Sequence, residues 1–178
     1  HAKGVRRGDR IAVLSQNRTE YIEIELAAAL IGAIVACQNW RLTAPELKGC
    51  LDLVEPRLVF VSGRFVPLLA SIGETGTPAI TIETGYEELV ASGSDTPPSV
   101  DVDPEDGLVI LCTSGTTGLP KGALISQRAL IGTSRVQCAQ WPASPLRVFN
   151  NLPINHIGCV GDLCCYALLG GGTNVFSE

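Results

Sequence analysis

The chain has 178 residues, with 13 Lys and Arg against 18 Asp and Glu, and is 46% hydrophobic and 17% charged; so much apolar residue excludes a disordered chain and suits one compact domain or part of a larger one. A net charge of −5 with no basic block excludes broad electrostatic capture of nucleic acid or of an anionic membrane surface. The longest nearly uncharged apolar stretch, Leu26 to Cys37, spans 12 residues against the roughly 18 to 20 needed to cross a bilayer, so no transmembrane helix is expected.

Ile11 to Ser15 (IAVLS) is β-rich, lies between Gly8-Asp9 and Asn17, and predicts a strand. Thr19 to Ile31 carries Ile22, Leu26, Ala29 and Leu30 at helical spacing with Glu20, Glu23 and Glu25 among them, acid near the N-terminus where the helix dipole favours it. Gly32 stops that helix, and Ala33 to Cys37 follows as a buried strand. Strand, helix and strand in about 30 residues make a βαβ unit, which implies a parallel sheet. Thr43-Ala44-Pro45-Glu46 fits a capping box with proline in the first turn, predicting a helix from about Ala44 to Leu53 that closes at Pro56.

Leu58 to Ser62 and Ala79 to Glu83 predict further strands, with a short helix around Phe65 to Ser71 between them and a small helix at Tyr86 to Ala91 after them. Ser92 to Asp106 turns to Gly, Ser, Pro and Asp, which supply no packed face. The expected organisation is therefore a first α/β portion over 1–92, a linker over 93–106, and the start of a second α/β portion over 107–178 that holds the most informative loop. Asp101, Asp103, Glu105 and Asp106 within it read as a solvated acidic cluster. Strands at Leu108 to Cys112 and Gly122 to Ser126, a helix from about Gln127 to Cys138, a strand near Val148 to Leu152, a helix near Val160 to Leu169 and a strand at Thr173 to Phe176 complete the alternation. The fold class is α/β with a largely parallel sheet, and the chain is expected to end at a strand edge.

Seven cysteines, an odd number, sit mostly inside apolar runs without C-x-x-C spacing. They read as reduced packing residues of a cytoplasmic protein. With only His1 and His156 to join them, a Cys/His metal centre is poorly supplied. Asp162 reads as a polar residue on one helical face. There is no basic-plus-apolar leader and no Met, so the chain is expected to be an excised piece of a longer polypeptide.

The chemistry concentrates in Leu108 to Ser126, where a buried strand runs into Thr113-Ser114-Gly115-Thr116-Thr117-Gly118 and then Pro120-Lys121-Gly122. Glycines let successive backbone N–H groups point at one concave site, hydroxyls add donors, and the lysine supplies positive charge, a composition suited to polyphosphate. The Walker A pattern fails, because residue 120 is Pro where Gly is required and residue 122 is Gly where Ser or Thr is required. The dinucleotide pattern fails as well: Gly115 and Gly118 have the wrong spacing, and Gly170-Gly171-Gly172 precede a strand.

Thr113 to Gly122 instead resembles, position by position, the phosphate-loop signature [ST]-S-G-[ST]-[ST]-G-x-P-K-G of the adenylate-forming (AMP-binding) superfamily. Gly8 to Val13, Gly32-Ala33-Ile34, Asn39, Arg41-Leu42-Thr43, Glu46-Leu47 and Asp52 are similar to the N-terminal domain course of its acyl-CoA synthetases, the fatty-acid-CoA ligase type. Leu152 to Gly158 is similar to the family's P-L-F-H-x-x-G segment near the acyl pocket, with Asn155 in place of the aromatic and Gly158 one position early.

This resemblance implies an ATP-dependent ligase that converts a carboxylic acid, fatty or aromatic, into an acyl-adenylate and passes it to CoA. It assigns ATP contacts to Thr113, Ser114, Gly115, Thr116, Thr117, Gly118 and Lys121, a place at the acyl site to His156, and Mg2+ to Thr117. The family's metal-binding Glu, ribose-binding Asp and adenylation Lys segments are missing from the 178 residues, so the chain alone is expected to be inactive. A non-catalytic nucleotide-binding module, a carrier-protein-loading adenylation domain and a luciferase-like oxygenase stay open as alternatives, and so does assembly into a homo-oligomer.

Overall fold

A computed structural model describes residues 3–114 and 120–177, the Ser114 side chain excepted. Its main element is a six-stranded sheet in the order β4-β3-β1-β2-β5-β6. The strands are β1 (Arg10–Leu14), β2 (Ile34–Gln38), β3 (Leu58–Val61), β4 (Ala79–Thr81), β5 (Gly107–Ser114) and β6 (Pro120–Ser126). All neighbours pair in parallel except β6, which returns antiparallel to β5. Helices α1 (Thr19–Ile31), α2 (Ala44–Val54), α3 (Val66–Ser71) and α4 (Ile82–Ala91) make the crossovers, and α5 (Gln127–Gln140) follows β6. A second, two-stranded parallel sheet pairs β7 (Arg147–Asn150) with β8 (Thr173–Phe176), joined through a π-helix at Gly158–Cys165 and the short α6 (Tyr166–Leu169).

Alternation along the parallel strands divides the core between the two sheet faces, as expected where both faces are covered. Ile11, Val13, Leu58 and Phe60 face α1 and α4 in one apolar cluster, whereas Ala12, Leu14, Val59 and Val61 pack with Leu47 and Leu51 of α2 in the other. The first cluster also takes in Leu130, Ile154, Cys159 and Val160, so apolar packing runs on from the large sheet into the later elements. The segment 92–106 likewise leads into β5, which lies beside β2 with Val35 opposite Val109.

Local signals place several ends. Gly32 ends α1 at φ +66°, a left-handed conformation open to glycine, and a Cβ there would meet Arg7 Cγ at 2.7 Å. At the start of α2 the Glu46 carboxylate accepts from the Thr43 amide at 2.8 Å and from its hydroxyl at 2.7 Å, which holds the Glu46 carboxyl below its usual range. Replacing Thr43 by alanine should lower the melting temperature by about 2–4 °C; an unchanged thermal melt would mean that the cap contributes no stability.

Four expectations are corrected. α1 buries Tyr21, Ile22, Ile24, Glu25, Ala28 and Ile31, so of the expected stripe Ile22 enters the core while Leu26 and Leu30 stay exposed. The buried face is therefore rotated toward Tyr21, Ile24 and Ala28, with Ile22 at its border. Helix α4 starts at Ile82, well before Tyr86, because Ile82 and Tyr86, four apart, both turn into the core, and tertiary packing overrides the β preference of AITIE. The helix expected near Val160 begins as a wider π-helix at Gly158, which brings Cys159 and Cys164, five residues apart, to a sulfur separation of 3.9 Å inside the core. The acidic cluster is not merely solvated: Asp106 takes two 2.8 Å bonds from Arg7, and Glu105 pairs with Arg128.

All seven thiols are unpaired; Cys37, Cys50, Cys159 and Cys164 are buried, and Cys112, Cys138 and Cys165 half-buried. The Cys37 thiol lies 3.9 Å from Glu25 Oε1 and donates to it. Burial pushes the carboxyl of Glu25 well above its ordinary range, and pushes the Cys37 thiol and the Tyr21 phenol up as well. Asp162 is half-buried on the π-helix.

Candidate functional site

Five parallel strands direct their carboxyl ends to one edge of the sheet, the edge at which open α/β sheets take their ligands. The stem of the Gly- and Thr-rich segment belongs to this edge, because β5 carries it there and β6 brings it back. Cross-strand pairs place Cys112 opposite Gly122, Thr113 opposite Lys121 and Ser114 opposite Pro120. The Thr113 hydroxyl donates to the Lys121 carbonyl at 3.3 Å, tying the two strands where the stem ends. Lys121 is exposed and makes no ion pair with the described residues. Gly115, Thr116, Thr117 and Gly118 lie outside the described residues, as does the Ser114 side chain.

Close packing against β5, with α2 in ordinary contact behind, surrounds the glycine beside the lysine. A Cβ at Gly122 would stand 3.0 Å from Ile110 Cγ2 and 3.7 Å from Leu53, and one at Gly49 would stand 3.5 Å from the Pro120 ring. A larger residue at 122 would crowd Ile110 on the neighbouring strand β5, while its distance to α2 would be ordinary contact. The neighbouring Cys112 thiol together with burial pushes the Cys50 thiol up.

His156 comes from the other part of the chain. It is exposed in the turn leading into the π-helix; its amide donates to the Pro153 carbonyl at 3.0 Å, and its own carbonyl accepts from Cys159 and Val160. Nδ1 accepts from the Gly158 amide at 3.2 Å, which leaves the proton of the neutral ring on Nε2. Thr113 and Lys121 are thus brought together. Among the described residues no hydrogen bond or ion pair joins either of them to His156.

Two features of this edge escaped the sequence reading. Trp40, just after β2, stacks on Phe65 with ring centroids 5.6 Å apart, and the guanidiniums of Arg41 and Arg64 lie 4.5 Å and 5.9 Å from its centre. Arg18, in the loop after β1, is held by Glu20 and Glu83, while Glu83 also accepts from Ser62 Oγ and the Gly63 amide just past β3. Despite its partial burial, these donors lower the Glu83 carboxyl to about 2. Neither feature could be read locally, since the Trp40–Phe65 stack and the Glu83 contacts join residues 20 to 65 positions apart that meet only when the sheet forms.

Among the described residues no group of three His, Cys, Asp or Glu side chains could hold a metal ion, and Thr117, to which the resemblance assigned Mg2+, lies outside them. No helix among the described residues is long and apolar enough to cross a membrane.

Comparison with known proteins agrees with this architecture. The chain is 32% identical to the indoleacetate–CoA ligase of Aromatoleum aromaticum over 98% of its own length, spanning 36% of that protein. It superposes on the inhibitor-bound N-terminal domain of FACL13 from Mycobacterium tuberculosis with a TM-score of 0.90 at 27% identity, covering 99% of this chain and 46% of that one. It also superposes on a putative long-chain-fatty-acid CoA ligase from Rhodopseudomonas palustris with a TM-score of 0.85 at 33% identity, covering 98% of this chain and 46% of that one. The chain therefore spans about a third of the curated relative and about half of each solved chain. With the AMP-binding enzyme family matched over residues 1–178, and with the α/β sheet of the N-terminal domain of such enzymes, this chain belongs to the AMP-binding enzymes.

Proposed function

We propose that this chain forms part of an AMP-forming acid–thiol ligase, which activates a carboxylic acid with ATP and transfers the acyl group to CoA. The observation that carries the reading is the pairing of Thr113 with Lys121 at the carboxyl end of β5, on either side of the segment whose glycines and hydroxyls suit a polyphosphate. In the first step a carboxylate oxygen attacks the α-phosphorus of ATP, the bond to the β-phosphate oxygen breaks, and pyrophosphate leaves. In the second step the thiol sulfur attacks the acyl carbonyl, loses its proton, and displaces AMP.

An anion attacking a polyanion needs positive charge and N–H donors at the leaving group. Residues 113–118 supply backbone and hydroxyl donors, and Lys121 supplies charge to the departing pyrophosphate. His156 borders the acid site. The names of the relatives, an aromatic acid ligase and a fatty acid ligase, support a fatty or aromatic acid as substrate. Seven unpaired thiols support a reducing compartment, the cytoplasm.

The test is carboxylate-dependent ATP–pyrophosphate exchange, run with the 178-residue chain and with the longest polypeptide its gene encodes, over acids from acetate to long-chain and aromatic. Exchange by the long polypeptide and none by the short chain is expected. MgATP binding with no exchange for any acid would favour a nucleotide-binding module instead.

A further inference from the structure

The loop between β1 and α1 contains one side chain that does the work of a strand. Asn17 Oδ1 accepts from the Ile154 amide at 2.8 Å, while its Nδ2 donates to the Leu152 carbonyl at 2.9 Å and to the Ser177 carbonyl at 3.2 Å. Leu152 and Ile154 flank Pro153, which has no N–H to offer. The planar amide of Asn17 therefore meets this segment as a neighbouring peptide group would, acceptor to one residue and donor to the residue two before it. Its third bond reaches the backbone just past β8, so a single side chain ties the ends of both sheets' strands together.

Rigidity on both sides makes the tie useful. Asn17 follows β1, whose residues Ala12 to Leu14 are buried, and precedes Arg18, which Glu20 and Glu83 hold in place. At the other end Ile154 is fully buried, and His156, two residues on, opens the π-helix with its carbonyl. β1 lies beside β2, and β2 beside β5. The large sheet thus carries both the β5–β6 stem and, through Asn17, the segment bearing His156.

We infer that Asn17 is a positioning residue for the acid-binding segment 152–156, holding it in register with the phosphate-binding stem; this rests on the ligase reading above. Asparagine suits the task because one short planar group must both accept and donate. Aspartate keeps the acceptor for Ile154 but turns an oxygen toward two carbonyls, and alanine loses all three bonds.

Two measurements test this. Hydrogen exchange on the 178-residue chain should show the Ile154 amide exchanging at least tenfold faster in Asn17→Ala, with the amides of β1 and β2 unchanged, and should show Asn17→Asp keeping Ile154 protected. Pyrophosphate exchange by the longest encoded polypeptide should show both variants raising the KM for the acid about tenfold while the KM for ATP stays within twofold. An acid KM that does not move in either variant overturns the inference. So does an equal rise in both KM values together with faster exchange throughout the sheet, since that marks general loosening. A wild type inactive with every acid rejects the ligase reading, and the positioning role with it, whereas an active wild type with unaffected variants rejects the positioning role alone.

Discussion

Substituting Lys121 by alanine is expected to raise the KM for ATP in carboxylate-dependent pyrophosphate exchange by about 10- to 100-fold, with little change in melting temperature. A charge-assisted hydrogen bond to a phosphate oxygen contributes about 1.5–3 kcal/mol, which spans that range when converted to a ratio of constants. Stability should hold, because the side chain is exposed and the strand pairing at this position uses its backbone, with Thr113 Oγ1 donating to the Lys121 carbonyl. Lys121→Arg should recover part of the loss, since the charge is kept while its reach and geometry change. Thr113→Ala should have a smaller effect, because the Thr113 hydroxyl already spends its proton across the stem. An unchanged KM for ATP in Lys121→Ala would remove the lysine from the phosphate site.

The second large effect concerns stability. Glu25 is 6% exposed in the core beside Cys37, with no cation bonded to it among the described residues, and burial raises its carboxyl well above the ordinary range. Between the unfolded value, about 4.3, and the raised folded value, the native state binds a proton that the unfolded chain has released. Stability therefore falls as pH rises through that window, by about 1.4 kcal/mol for each pH unit. The thiol of Cys37 and the phenol of Tyr21, both pushed up by burial, stay neutral and do not offset the loss.

Glu25→Gln keeps an oxygen for the Cys37 thiol and removes the titration. Its melting temperature should drop less than that of the wild type as pH rises from 5 toward the raised carboxyl's range, by about 3–6 °C per unit. Parallel pH profiles for the two proteins would show that Glu25 does not control this dependence.

Several elements were legible because their signals are local. The run IAVLS, the cap formed by Thr43 and Glu46, and Gly32 after a helical stretch each state their conformation within a few residues, and the strand and helix ends around them fall within a residue or two of expectation. The composition of Thr113 to Gly122 was legible for the same reason, since it lies in contiguous glycines, hydroxyls and a lysine, whereas the extension of β5 to Ser114 and of β6 back to Pro120 went beyond the strand ends expected at Cys112 and Gly122.

Other features depend on what each residue meets from far along the chain. Of the apolar residues at helical spacing in α1, Ile22, Leu26, Ala29 and Leu30, the sheet against which the helix packs buries Ile22 and leaves Leu26 and Leu30 exposed. It takes Tyr21, Ile24 and Ala28 into the core along with a carboxylic acid, Glu25. The sequence by itself determined the alternation of strands and helices and the composition of the Gly- and Thr-rich segment, because hydrophobic period, caps and glycine conformations act over one or two turns. Only the tertiary structure decided that β5 lies beside β2, that the helix after His156 widens, and that Asn17 clasps residues 152 and 154. Those outcomes rest on backbone hydrogen bonds and core contacts between segments up to 160 residues apart, whose partners no local pattern specifies.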